Sequence, residues 1–149
     1  MQTLSNVSLN RNKAYNWPGS KSMSSSISNS NEKLKILCVD DDEIVLLASQ
    51  AILGKRFSTQ VARSGSEGLN ALRVFQPDWV IVDFHMPDMD GARFMLSALQ
   101  CGIRTSFVLL TELEVGDLDW EGLSPLGMKG YLRKPIDIDK LMDIIEENS

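Results

Sequence analysis

Five polar side chains stand at or just past the ends of short apolar runs. Asp40 and Asp41 follow Ile36-Leu37-Cys38-Val39, and Asp83 ends Trp79-Val80-Ile81-Val82. Thr111 ends Phe107-Val108-Leu109-Leu110, and Lys134 follows Tyr131-Leu132-Arg133. If these runs are parallel strands, all five groups reach the same end of one sheet. Three carboxylates crowded together repel and raise each other's proton affinity. A hard cation relieves that crowding. Mg²⁺ takes oxygen ligands, keeps several waters, and suits one or two carboxylates plus a phosphate. Lys134 and the Thr111 hydroxyl could then hold the remaining phosphate oxygens. Singly, each residue has a plainer reading: a turn or helix cap for an Asp, a solvated surface Lys, a β-branched strand Thr. Asp42 is read only as a cap. The matched set, in order along the chain, is what points to chemistry.

The elements that must position this set can be read from periodicity. After Asp40, the residues Ile44, Leu47, Ala48, Ala51 and Ile52 share one face of a helix. Phe57, Thr59 and Val61 alternate as in a half-exposed strand. Ser64 and Glu67 form a capping box that opens a helix through Leu69, Leu72 and Phe75, and Pro77 stops it. A helix is predicted over 92–99, with Gly102 as its left-handed cap. Asp137 caps a last helix carrying Leu141, Ile144 and Ile145. Strands and helices thus alternate five times between Lys33 and Ser149. Continuous apolar strands between amphipathic helices call for a parallel sheet covered on both faces. Ligands of such sheets sit beyond the carboxyl ends of the strands, where the strand order reverses.

Residues 1–32 have a different texture. Positions 20–30 read SKSMSSSISNS, and Tyr15 and Trp17 are the large anchors of the segment. Such a composition buries too little surface to offset its ordering entropy, so 1–32 is read as a disordered tail and 33–149 as the folded domain. The tail carries Arg11, Lys13 and Lys21 against Glu32, a net +2, and the remainder carries 12 basic against 19 acidic residues, a net −7. So acidic a domain is poorly suited to nucleic-acid backbone and better suited to a cation or a basic protein surface. No apolar run approaches the roughly 18 residues of a membrane span, and the polar N-terminus does not read as a signal peptide. Cys38 and Cys101 lack metal-type spacing and read as buried thiols of a reducing cytoplasm.

At this point residues 33–149 resemble the receiver domain of two-component response regulators. The resemblance is carried by Ile36-Leu37-Cys38-Val39-Asp40-Asp41, by Val82-Asp83-Phe84-His85-Met86-Pro87-Asp88-Met89-Asp90-Gly91, by Leu109-Leu110-Thr111, and by Tyr131-Leu132-Arg133-Lys134-Pro135. It implies a flavodoxin-like doubly wound sheet of five parallel strands in the order 2-1-3-4-5. It implies that Asp83 takes a phosphoryl group from a phosphohistidine on a sensor histidine kinase or a histidine phosphotransfer protein. Asp40, Asp41, Asp83 and the main-chain carbonyl of His85 are implied to hold Mg²⁺. Lys134 is implied to neutralise the phosphoryl oxygens, Thr111 to hydrogen-bond to them, and Tyr131 to turn inward as Thr111 moves. Gly91 is implied to give a tight turn, and Lys134-Pro135 a cis bond. The enzymic content would be Mg²⁺-dependent self-phosphorylation and autodephosphorylation.

Two features depart from the family. Glu112 follows Thr111 where a small residue is usual; it either shields the phosphoryl pocket or points to solvent. Gly116, Gly122, Pro125 and Gly127 fall where the fourth helix belongs, and helix interiors lose about 1 kcal/mol per Gly and about 3 per Pro. A short or irregular fourth helix is expected over 112–127, opening easily and ordering on phosphorylation, on the face that commonly makes dimers or reads out the signal. His85, the single histidine, stands two after Asp83 at the mouth of the site and is read as a solvated loop residue that tunes phosphoryl lifetime, with proton transfer as the alternative. The expectation is a stand-alone cytoplasmic receiver acting by protein–protein contact, without direct nucleic-acid binding. Its rival is an interaction module of the same fold that acts without phosphorylation. A phosphatase with an Asp nucleophile would want a second acid/base carboxylate and a cap domain, and neither is evident.

Overall fold

The computed structural model describes residues 33–112 and 118–149. The expected tail, 1–32, and part of the expected irregular segment, 113–117, lie outside the described residues. Elements alternate as β1 (Lys35–Val39), α1 (Glu43–Leu53), β2 (Ser58–Ala62), α2 (Gly65–Phe75), β3 (Trp79–Asp83), α3 (Gly91–Gln100), β4 (Ser106–Thr111), α4 (Trp120–Leu123), β5 (Met128–Arg133) and α5 (Ile138–Glu147). The described residues fall into two units. Lys33–Leu141 holds the sheet; Met142–Ser149 continues α5 and closes with the Ser149 hydroxyl donating to the Ile145 carbonyl at 2.7 Å.

All strand pairings are parallel, and the strand order is 2-1-3-4-5. Register explains why the central strands are apolar throughout. Leu37, Val80 and Phe107 lie in one cross-strand row, and Val39, Val82 and Leu109 in the next. Alternation along each strand points these to one face, where they cluster with Leu72, Phe94, Met95 and Ala98 of α2 and α3. Phe94 meets Phe107 edge-on, with ring centroids 6.1 Å apart. Cys38, Ile81 and Val108 form the intervening row and turn to the opposite face. With both faces covered, no polar alternation survives in β1, β3 or β4.

Local chemistry sets the helix limits. Asp42 caps α1, its carboxylate accepting from Ile44 N at 2.9 Å and Val45 N at 3.4 Å. Ser64 caps α2 by accepting from Glu67 N at 3.1 Å, but Glu67 reaches past it to accept from Arg63 N at 2.6 Å. The capping box is therefore offset by one residue. Gln76, not Pro77, turns the chain out of α2, in the left-handed region at φ 53°. Gly102 takes φ +79° just beyond α3, as its sequence position implies. Asp137 accepts from Asp139 N and Lys140 N at the start of α5. The fourth helix is a single turn, followed by a 3₁₀ turn over Ser124–Leu126 that contains Pro125 and ends at Gly127 with φ +110°.

One expected face is corrected. The stripe Ile44, Leu47, Ala48, Ala51, Ile52 lies outward, with Ile44 76% and Leu47 67% exposed. The buried residues of α1 are Leu46, Ser49 and Leu53. Residues 44–48 are all apolar, so helical spacing finds a hydrophobic stripe on either side. The strand, not the helix, decides which one is buried.

Candidate functional site

The reversal of strand order falls between β1 and β3, and the candidate residues collect at the carboxyl ends of those strands. Val39 pairs with Val82, so Asp40 emerges beside Asp83. Asp83 pairs with Leu110, and Thr111 pairs with Arg133. Among the described residues the buried polar or charged side chains are Asp40, Ser49, Asp83 and Thr111. Three of the four stand at this one end of the sheet, a concentration that sheet packing alone does not require.

Asp40, Asp41 and Asp83 each bring a carboxylate oxygen within 4.8 Å of the others, Asp41 from an exposed position. Lys134 Nζ lies 3.0 Å from Asp40 Oδ2 and 3.4 Å from Asp83 Oδ2. Its backbone N–H donates to the Thr111 carbonyl at 3.1 Å, which anchors the residue to the end of β4. The Lys134-Pro135 bond is cis, as expected. Asp40 Oδ1 accepts from Asp42 N at 2.9 Å. Its other oxygen is buried with no well-aligned hydrogen-bond donor among the described residues and faces the Lys134 charge. Asp83 Oδ1 accepts a long bond from His85 N at 3.4 Å.

Burial, then the neighbouring Asp40 charge, pushes Asp83 up to about 6 against the opposing pull of Lys134. Burial lowers the proton affinity of Lys134, but contact with Asp40 and then Asp83 outweighs it and holds the ammonium above its usual range. A partly buried, electrostatically unsettled, all-oxygen donor set fits a hard divalent cation such as Mg²⁺. The residues that could hold it are Asp40, Asp41 and Asp83.

The other candidates are dispersed around this centre. Tyr131 is half-buried, and Trp120 stands edge-on to it. His85 and Glu112 are exposed; the Glu112 carbonyl accepts from Arg133 at 3.5 Å. Gly91 needs no positive φ. A Cβ there would stand 3.0 Å from Leu109 Cδ2 and 3.2 Å from the Asp83 carbonyl, so glycine lets α3 begin against the site strand. Cys38 is buried, and burial followed by Asp40 pushes its thiol up to about 12, leaving it an inert core group. Cys101 is exposed just past α3, a correction to its buried reading.

Asp88 is a contact that sequence reasoning missed. Its carboxylate accepts from Gly65 N at 3.1 Å, from Ser66 N at 3.0 Å and from the Ser66 hydroxyl at 3.1 Å. These partners are 22 and 23 positions away in the chain, and no local pattern announces them.

The profile of the response regulator receiver domain matches residues 36–146. The chain is 32% identical over 113 residues to the regulatory protein AtoC of Escherichia coli, covering 75% of this chain and 24% of AtoC. It is 30% identical to the transcriptional regulatory protein YhcZ of Bacillus subtilis, covering 73% of this chain and 52% of YhcZ. The chain thus spans from a quarter to about half the length of these curated relatives. The receiver domain of the Francisella response regulator 1452 superposes with a TM-score of 0.66 at 30% identity, covering 78% of this chain and 94% of that one. A CheY-like receiver from Methylobacillus flagellatus gives a TM-score of 0.70 at 24% identity, covering 79% and 100%, and supports the fold. With its doubly wound sheet and the extent of the family match, the chain belongs to the response regulator receiver domain family.

Proposed function

We propose that this domain accepts a phosphoryl group on Asp83 from a phosphohistidine of a sensor histidine kinase or a histidine phosphotransfer protein. The observation that carries this reading is the Lys134 ammonium bridging the buried Asp40 and Asp83 in a cluster of three carboxylates. One Asp83 oxygen attacks phosphorus, the P–N bond breaks, and the imidazole leaves with the electron pair. Water later restores the carboxylate and releases inorganic phosphate. Mg²⁺, held by Asp40, Asp41, Asp83 and the His85 carbonyl, would supply positive charge against the repulsion between carboxylate and phosphoryl oxygens. Lys134 neutralises those oxygens from the other side, and the Thr111 hydroxyl donates to one of them. Tyr131 follows Thr111. Residues 33–149 carry this chemistry, residues 1–32 are dispensable for folding, and the output is contact with another protein.

Intact mass after incubation with Mg²⁺ and acetyl phosphate tests the reading. Wild type should gain one phosphoryl group and Asp83→Asn none; equal uptake by both overturns it. The single-turn α4 favours a second reading, a receiver-fold interaction module independent of phosphorylation. Wild type that stays unmodified, with both acetyl phosphate and a phosphorylated kinase, would establish that one.

A further inference from the structure

Of the ties that hold the loop between β3 and α3, three bear on its position. Gly91 N donates to the Phe84 carbonyl at 2.7 Å and closes the loop on itself. Asp90 caps α3 by accepting from Arg93 N at 2.8 Å. The third tie leaves the loop altogether: Asp88 binds the first two residues of α2 through three hydrogen bonds. The Met89 side chain then lies where a Cβ at residue 65 would stand, so the loop packs directly on the glycine that opens α2.

This arrangement shares the start of α2 between two caps. Ser64 satisfies Glu67 N, while Asp88 satisfies Gly65 N and Ser66 N. A negative charge here also meets the positive end of the helix. Slight burial works against the carboxylate, but the bonds from Gly65 and Ser66 hold it below its usual range. The tie therefore remains charged throughout neutral pH. The same loop begins at Asp83 and includes His85, whose N–H already contacts the Asp83 carboxylate.

We infer that Asp88 is a positioning residue for the cation site. By fixing the loop to α2, it sets where the Asp83 carboxylate and the His85 carbonyl face Asp40 and Asp41. This rests on the cation reading given under Proposed function. Mg²⁺ is strict about ligand geometry, so loosening one of its supports raises Kd without removing any ligand.

The test uses Mn²⁺, a hard divalent ion with the same octahedral oxygen preference, counted free in solution by electron paramagnetic resonance. The 149-residue wild type, Asp88→Ala, Asp88→Asn and Ser66→Ala are titrated at a temperature where melts in EDTA show each folded. Asp88→Ala should raise Kd about tenfold, the low end for lost outer-shell support. Ser66→Ala removes one of the three bonds without changing charge and should raise Kd by a smaller factor than Asp88→Ala does. Asp88→Asn keeps the shape and serves if the alanine variant does not fold.

Loss of a distant negative charge could weaken cation binding on its own, and salt separates the two causes. At about 1 M KCl the screening length is about 3 Å. A positioning effect keeps its Kd ratio there. A ratio that collapses to one, or variants that bind as wild type does while melting lower, would overturn the inference and leave Asp88 a purely structural cap. Wild type that binds no Mn²⁺ overturns the cation reading itself, and this inference with it.

Discussion

Trp120 stands edge-on to Tyr131, with ring centroids 5.8 Å apart and planes at 72°. Edge-to-face pairs contribute about 0.5–1.5 kcal/mol beyond their buried area, so any turn of Tyr131 must first break this contact. Trp79, on the same strand as Asp83, looks in sequence like the natural fluorescence reporter. It lies at the far end of that strand, four residues and about 13 Å from the carboxylate. Adding beryllofluoride and Mg²⁺ should change the emission of wild type and leave Trp120→Phe nearly unchanged. An equal change in both proteins would sink the coupling.

Lys134 should act in opposite directions on metal and phosphoryl group. It occupies two of the carboxylates that a cation needs. Lys134→Ala should therefore bind Mg²⁺ more tightly than wild type yet take up phosphoryl far more slowly. Without metal it leaves the buried Asp40 and Asp83 without the Lys134 charge, a loss of about 3 kcal/mol, the low end for a broken buried pair because Asp83 can take up a proton. Urea unfolding in EDTA and in Mg²⁺ measures the stability part, and calorimetric titration the affinity. Weaker Mg²⁺ binding by the variant would contradict the shared-charge picture.

The raised proton affinity of Asp83 gives a pH dependence of definite sign. Its carboxyl sits at about 6 when folded against the ordinary aspartate value of 3.8, so between these limits the native state holds more protons than the unfolded chain. Asp83's share of metal-free stability is therefore full below the lower value and lost as pH rises through about 6. Metal binding runs the other way, because the ion must displace that proton. Mg²⁺ affinity should fall about tenfold between pH 7.5 and pH 5. A flat profile across that range would remove Asp83 from the ligand set.

The two sides of α1 give a packing test. Leu46 is 3% exposed and Leu47 67%. Leu46→Ala should cost about 3 kcal/mol, and Leu47→Ala less than about 0.5, by denaturant unfolding. Comparable losses would return the outer stripe to the core.

These cases show what the sequence could carry. The site was legible because strand ends are marked twice, by an apolar run and by the polar residue that stops it. Asp40, Asp41, Asp83 and Lys134 converge as that double mark implies. The inner face of α1 was not legible, since an unbroken apolar run at 44–48 has no preferred side until a sheet is laid against it. The expected last strand, Tyr131-Leu132-Arg133, in fact begins at Met128, because Lys129 and Gly130 disguise a strand whose pairing with β4 shifts register near Phe107 and Val108. The Asp88 tie joins a loop to the start of α2, and their proximity exists only after the sheet has formed.

The strand order divides the site unequally. Asp40 and Asp83 are held by β1 and β3, each flanked by neighbours on both sides, whereas Lys134 follows β5, which among the described strands has a neighbour on one side only. Edge strands open more readily than central ones. A fluctuation that peels β5 away withdraws the ammonium and leaves the acidic groups facing one another unscreened. Their repulsion raises the energy of the opened form, so the charge pattern acts as a spring that draws the edge strand back.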